Sequence, residues 1–94
     1  MIGVKIRQLR EAKQMLIREV AAQLKTDTAM LSKMERGERP FKKEDIIVLA
    51  NVFKQPKKEL LTLWLADRIL KNTSNEEYTI ESIQLALKIA KENT

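Results

Sequence analysis

The sequence predicts an all-α chain, and three observations carry that expectation. Glycine and proline are scarce, at two each in 94 residues. The only aromatics are Phe41, Phe53, Trp64 and Tyr78, so the core must be mostly Leu, Ile, Val, Ala and Met. Apolar residues recur at helical spacing, and no run alternates with the period of two that a strand requires.

The first helix is expected over Gly3 to Gln14, where Ile2, Ile6 and Leu9 fall at i, i+4 and i+7 on one face. The second covers Ile17 to Leu24, with Ile17, Val20, Ala21 and Leu24 on one face. The third, Thr28 to Arg36, is opened by Asp27 as N-cap and closed by Gly37. Pro40 belongs to the loop that follows and holds Arg39 away from helical conformation. The fourth covers Lys43 to Phe53, with Ile46, Leu49, Ala50 and Phe53 inward. It lacks a good N-cap, having Phe41 and Lys42 there. Pro56 marks the start of the fifth, Lys57 to Lys71. A polar break over Asn72 to Asn75 separates it from the sixth, Glu76 to Glu92.

The fifth and sixth helices are apolar over much of their circumference. Leu60, Leu61, Leu63, Trp64, Leu65, Ala66, Ile69 and Leu70 nearly encircle the fifth. Tyr78, Ile80, Ile83, Leu85, Leu87, Ile89 and Ala90 give the sixth a broad apolar face. A helix apolar on nearly all sides must be buried on nearly all sides, and a chain this short has limited interior to offer. Two arrangements satisfy this. Either the sixth helix folds back over the fifth within one chain, or one face packs on the N-terminal domain and the other on a second copy. The second is the expectation, with Leu65, Ile69, Ile80, Ile83 and Leu87 at the interface.

Composition narrows the function. There is no Cys and no His, which removes disulfides, thiolate metal sites and the commonest general base and zinc ligand. No carboxylate pair or Gly-rich phosphate loop suggests catalysis, so no enzyme, metal or cofactor is expected. No apolar run approaches the roughly 20 residues of a membrane span, and Lys5, Arg7 and Arg10 break any signal-peptide pattern. A cytoplasmic location without membrane attachment is the expectation. Net charge is +5, unevenly spread. Residues 1–58 hold 14 Lys/Arg against 7 Asp/Glu, while residues 59–94 hold 4 against 6. One part is suited to a polyanion and the other to protein.

The second helix, the tight Lys25-Thr26-Asp27 turn and the third helix have the spacing of a helix-turn-helix, whose second helix enters the major groove of DNA. With Leu31 and Met34 inward, 100° per residue carries Ala29, Lys33 and Arg36 to the opposite side, with Ser32 beside them and Thr28 at the N-terminus. Met30 falls on the flank.

The stretches "IRQLREAK", "REVAAQL", "MLSKMERGERP" and "IIVLANVFKQPKKELL" resemble the helix-turn-helix domain of the phage repressor and Cro family, also called the XRE family. "LRE" followed by "MERGE" is the most specific part. The resemblance covers residues 3–61, and "LLTLWLADRIL" looks like small regulators encoded beside restriction-modification genes. It implies a five-helix repressor-like domain over residues 1–62, and residues 63–94, the end of the fifth helix and the sixth, lie outside the common domain and are expected from their apolar pattern to dimerise. It also implies a transcriptional regulator, binding double-stranded DNA as a homodimer and contacting RNA polymerase where it activates. The same domain also occurs in antitoxins, whose tail meets a different protein.

By the same resemblance, Thr28, Ala29 and Lys33 match base-reading positions, Ser32 matches one beside bases or phosphate, and Arg10 and Glu35 match a structural ion pair. The sequence departs from the family at Leu16 and Ile17, where Ser/Thr and Gln are usual, leaving Arg18 as a substitute contact. It departs again at Lys25, where Gly is common. Either the turn avoids positive φ or Lys25 is accepted there because its charge meets a phosphate.

What such a helix can read follows from its side chains. Thr28 and Ala29 offer methyl groups suited to thymine, and Lys33 can donate to guanine O6 and N7. None of the three makes the bidentate contacts of Arg, Gln or Asn, so direct readout is thin. Affinity is expected from phosphate contacts by Arg18, Lys25, Arg36, Arg39, Lys42 and Lys43, and specificity from paired half-sites and DNA shape.

Overall fold

The computed structural model describes residues 1–94 and is all-α: α1 Ile2–Ala12, α2 Ile17–Gln23, α3 Thr28–Glu35, α4 Lys43–Val52, α5 Lys57–Thr73 and α6 Thr79–Glu92. The first five enclose one core. Ile2 and Ile6 of α1, Val20 and Ala21 of α2, Leu31 and Met34 of α3, Ile46, Leu49 and Ala50 of α4, and Leu60 and Trp64 of α5 meet there. Phe41 and Phe53 enter it from the loops on either side of α4. In α1, α3, α4 and α5 these residues lie three or four apart, one stripe facing inward, and α2 offers the adjacent pair Val20 and Ala21. Burying one such Leu or Ile contributes roughly 1.5–3 kcal/mol.

Two small features set how closely these helices approach. Gly3 lies buried where α1 crosses the C-terminal end of α3. A Cβ at Gly3 would stand 2.7 Å from the Met34 carbonyl oxygen and nearer still to that of Glu35, so no larger residue fits without parting the two helices. Trp64 sits in the core with its indole Nε1 donating to the Phe41 carbonyl at 2.8 Å. That bond satisfies the one polar atom of a buried indole and fixes the α3–α4 loop against α5.

The helix ends share one solution. After α1, α2, α3 and α4, one residue turns to positive φ: Gln14 at 55°, Lys25 at 56°, Gly37 at 80° and Lys54 at 52°. In each case its N–H and the next donate back into the helix, as in Gln14 N–H to Glu11 and Met15 N–H to Arg10. Lys25 and Thr26 donate to Ala22 and Ala21, Gly37 and Glu38 to Met34 and Lys33, and Lys54 and Gln55 to Asn51 and Ala50. These are Schellman ends, which usually carry glycine. Here three of the four do not. Of the two alternatives for the Lys25 turn, the chain takes the positive-φ one.

The N-termini of α2 and α4 are closed without a capping side chain on the N-cap residue. Leu16 N–H is accepted by the Glu19 carboxylate at 2.7 Å, and Lys42 N–H by Asp45 at 2.9 Å. The acidic residue three positions on thus makes up for the poor N-cap of α4 read in the sequence.

The C-terminal part departs from expectation in its boundaries. The polar break does not begin at Asn72: α5 continues through Thr73, whose hydroxyl donates to the Ile69 carbonyl at 2.9 Å within the helix. The turn is Ser74 to Tyr78, and α6 starts at Thr79 rather than Glu76. Tyr78 has φ 64° and stands outside the helix whose apolar face it was expected to join. Nor is α5 buried all round. Leu60 and Trp64 are buried, Leu61 and Leu63 half-buried, and Leu65, Ile69 and Leu70 exposed. No residue of α6 is buried.

The positive-φ positions make a test. A non-glycine residue there costs about 1–2 kcal/mol, offset in part by the greater freedom glycine gives the unfolded chain. Lys54→Gly is expected to stabilise the fold by about 0.5–1 kcal/mol, and Gly37→Ala to destabilise it by a similar amount or more. Chemical denaturation of both variants checks this, and a Lys54→Gly midpoint at or below that of the parent would show that the backbone there is not limiting.

Candidate nucleic-acid interface

The interface is built on α2, the turn Leu24 to Asp27, and α3. Val20 and Ala21 on one helix and Leu31 and Met34 on the other are buried, and the small Ala21 lets the two approach. Asp27 Oδ1 accepts from Met30 N–H at 2.7 Å, which fixes where α3 begins. With that edge inward, Thr28, Ala29 and Lys33 are exposed and Ser32 is half-buried. Met30 is half-buried and packs against the core.

The long cations flank this face. Arg18 is exposed on the first turn of α2, Lys25 in the turn, Arg39 in the α3–α4 loop, and Lys42 and Lys43 at the start of α4. Lys25, Arg39 and Lys42 border one shallow cleft, together with Leu24, Met30 and Met34. None of these five cations is paired with a carboxylate. Arg36 is different. Its guanidinium is held by the Glu38 carboxylate and by the Ser32 hydroxyl. Both partners of that ion pair are exposed, so water or a phosphate can displace it at little cost. Ser32 is likewise engaged before any DNA arrives.

One interaction holds α3 at its angle. Arg10 Nε donates to Glu35 Oε2 at 2.8 Å and Nη2 to Oε1 at 3.1 Å, a bidentate pair. Arg10 Nη1 donates to the Met15 carbonyl at 3.2 Å. The one side chain therefore ties α1, the α1–α2 loop and α3 together. The Glu35 side chain is only 5% exposed and that of Arg10 14%. The hydrogen bond Arg10 donates to Glu35 raises the Arg10 pKa above its ordinary value, against the opposing effect of burial, and the charges of Glu35 and Glu11 add to it. Glu11, exposed, is held below the ordinary carboxylate value by its bond from Arg7 at 2.8 Å.

An exposed short helix with unpaired cations at its flanks, set by a turn on a second helix, defines the class of a helix-turn-helix DNA-binding domain. Residues 2–63 match a family of helix-turn-helix domains, and the chain belongs to that family. Neither curated proteins nor solved structures give a match to the chain. No helix is long and apolar enough to cross a membrane.

Reading the sequence missed two groups that position the site. Gly3 lets α1 approach α3, and its signal was present: one of only two glycines, inside a helix where Gly costs about 1 kcal/mol. Trp64 was read as part of the apolar girdle of α5, and nothing local announces that its N–H reaches the loop after α3.

The clamp makes a quantitative prediction. Removing one partner of a largely buried pair leaves the other charge uncompensated, at a cost of about 3–5 kcal/mol. Glu35→Ala is expected to lose about 3 kcal/mol, and the paired change Arg10→Met with Glu35→Leu to recover much of that loss. A double-variant cycle in urea measures it. A loss under about 1 kcal/mol would place the pair with ordinary surface ion pairs.

Proposed function

We propose that this protein is a sequence-specific transcriptional regulator of the XRE kind that binds its operator as a homodimer and acts on its own promoter region. The exposed edge of α3 beside unpaired Lys25, Arg39 and Lys42 carries this reading. Thr28, Ala29 and Lys33 read bases, Ser32 contacts the groove edge, and Arg18, Lys25, Arg36, Arg39, Lys42 and Lys43 bind phosphates. Repression follows where the dimer covers a promoter, and activation where it touches RNA polymerase.

The dimer rests on surface left bare by a single chain. Leu65, Ile69, Ile80 and Leu87 are each at least half exposed, and Ile83 lies half-buried between α5 and α6. Ile69 of α5 with Ile83, Ala86, Leu87 and Ala90 of α6 line an open apolar groove of about 630 Å³. Much of the apolar surface of both α5 and α6 is thus left uncovered, and an exposed apolar patch of this kind marks an interaction face. A second copy supplies the same surface about a two-fold axis. Two reading helices then address half-sites about 34 Å apart or a multiple of that distance.

Lys33→Ala is expected to relax preference at one base position, by about 1–3 kcal/mol of discrimination, with little change on random DNA. Lys42→Ala should weaken cognate and random DNA alike. Binding to the region upstream of the protein's own gene, against a scrambled duplex, measures both, and equal losses on the two duplexes for Lys33→Ala would remove its reading role. Ile69→Glu with Leu87→Glu is expected to give a monomeric mass at micromolar concentration. A parent protein that is itself monomeric there would sink the homodimer.

A further inference from the structure

A second cleft lies on the other side of the α3–α4 loop, between the first turn of α1, the C-terminal end of α3 and the outer half of α5. It has a volume of about 140 Å³, and its cations are Arg36, Arg39, Arg68 and Lys71. Its two carboxylates are both engaged. Glu35 is held by Arg10, and Asp67 lies 3.7 Å from the amino group of Met1. Arg36 is paired with Glu38, but Arg39, Arg68 and Lys71 have no carboxylate partner.

These three cations keep most of their donors free. Lys71 Nζ donates to the Gly37 carbonyl at 3.3 Å, which uses one of three N–H groups. Arg68 lies over the Trp64 ring, 4.9 Å from its centroid, a contact that orients the guanidinium without consuming its N–H donors. Arg39 makes no side-chain hydrogen bond and borders both clefts, so the cations run as one band from Lys25 and Lys42 through Arg39 to Arg68 and Lys71. Like charges held together with no carboxylate partner of their own repel, and a polyanion laid along the band relieves that repulsion.

We infer that Arg68 and Lys71, with Arg39, bind DNA backbone phosphates at the C-terminal end of the recognition helix, extending the interface onto α5. Both lie beyond the residues matched to the helix-turn-helix family, which end at 63. The inference rests on the DNA-binding reading of α3. The N-terminal residues of such a helix face the base edges, so its C-terminal end stands toward the groove rim, where the phosphates are. Lys71 touches the residue that ends α3, which places its ammonium at that rim. The contact is sequence-independent and adds affinity without readout.

The test is a salt series on one cognate duplex and one random duplex, with the full chain. Each phosphate contact contributes about 0.9 to the slope of log K against log salt. Arg68→Gln with Lys71→Gln is expected to lower that slope by about 1–2 and to weaken both duplexes by the same factor. Arg68→Lys with Lys71→Arg, which keeps the charges, should hold the parent slope. An unchanged slope in the glutamine variant overturns the inference, as does an equal loss in the charge-keeping variant, which would mean that the residues only brace the loop. Thermal stabilisation of the parent alone by inorganic phosphate, with an unchanged DNA slope, would assign the cleft to a free anion instead. A parent protein that binds neither duplex would fail the DNA-binding reading itself and the inference with it.

Discussion

The angle of the recognition helix depends on a single contact region at its C-terminal end. Gly3 lets the backbone of α1 reach the carbonyls of Met34 and Glu35, and Arg10 grips the Glu35 carboxylate from about two turns further along. The steric and electrostatic halves need each other. Without a glycine at position 3 the helices could not come close enough for a bidentate pair, and without the pair nothing directional would hold α3 against rotation about its own apolar edge. That edge is narrow, with Leu31 and Met34 alone buried among its apolar residues. A helix of eight residues with so small a hydrophobic stripe is far below the length at which helices persist alone. Its order is supplied from outside, by the clamp at one end and the Asp27 cap at the other.

The same economy governs the turns. Four successive helices end by reversing φ at one residue, and only Gly37 does so without strain. Lys25 stands where the chain must turn between the two helices of the DNA-binding motif, and Gly37 where the recognition helix ends. In the first, a charged side chain is kept at a strained position on the face proposed for DNA. In the second, Lys71 reaches from α5 to donate to the Gly37 carbonyl. Gln14 and Lys54 lie away from the reading helix, and the strain there has no such counterpart.

Much of this was legible in the sequence because helical periodicity is a local signal. Ile46, Leu49, Ala50 and Phe53 were assigned inward by spacing and are buried, and Asp27 and Gly37 bound α3 as their chemistry requires. The failures are those of non-local or competing effects. Asn72 and Thr73 look like a break by propensity, but the Thr73 hydroxyl finds the Ile69 carbonyl and the helix runs on. Tyr78 looks like one more apolar position of α6, yet it takes the left-handed turn that starts that helix. The closeness of α1 and α3 at Gly3, the reach of Trp64 to Phe41, and the gathering of Arg68 and Lys71 beside Arg39 all join residues distant in sequence. The pairing of Arg10 with Glu35 could be named only through family resemblance, since surface charges far apart in a chain carry no sign of which will meet.

Helix α5 joins the two halves of the proposed function in one rigid element. Its first turns carry Leu60 and Trp64 into the core beneath the DNA-binding motif, and Trp64 holds the loop that follows the reading helix. Its outer turns carry Leu65 and Ile69 on bare apolar surface and Lys71 against the end of α3. A second copy docked on the outer turns would therefore be connected to each reading helix by one uninterrupted helix and two hydrogen bonds, with no flexible linker between. On the proposed reading, Thr28, Ala29 and Lys33 provide little base discrimination by themselves, so the fixed distance between two reading helices would have to supply much of it. A stiff connection makes DNA of the wrong half-site spacing costly to bind, because the protein cannot adjust and the duplex must bend instead. On that proposed reading, thin direct readout and a rigid dimer are the same design seen from the two ends of α5.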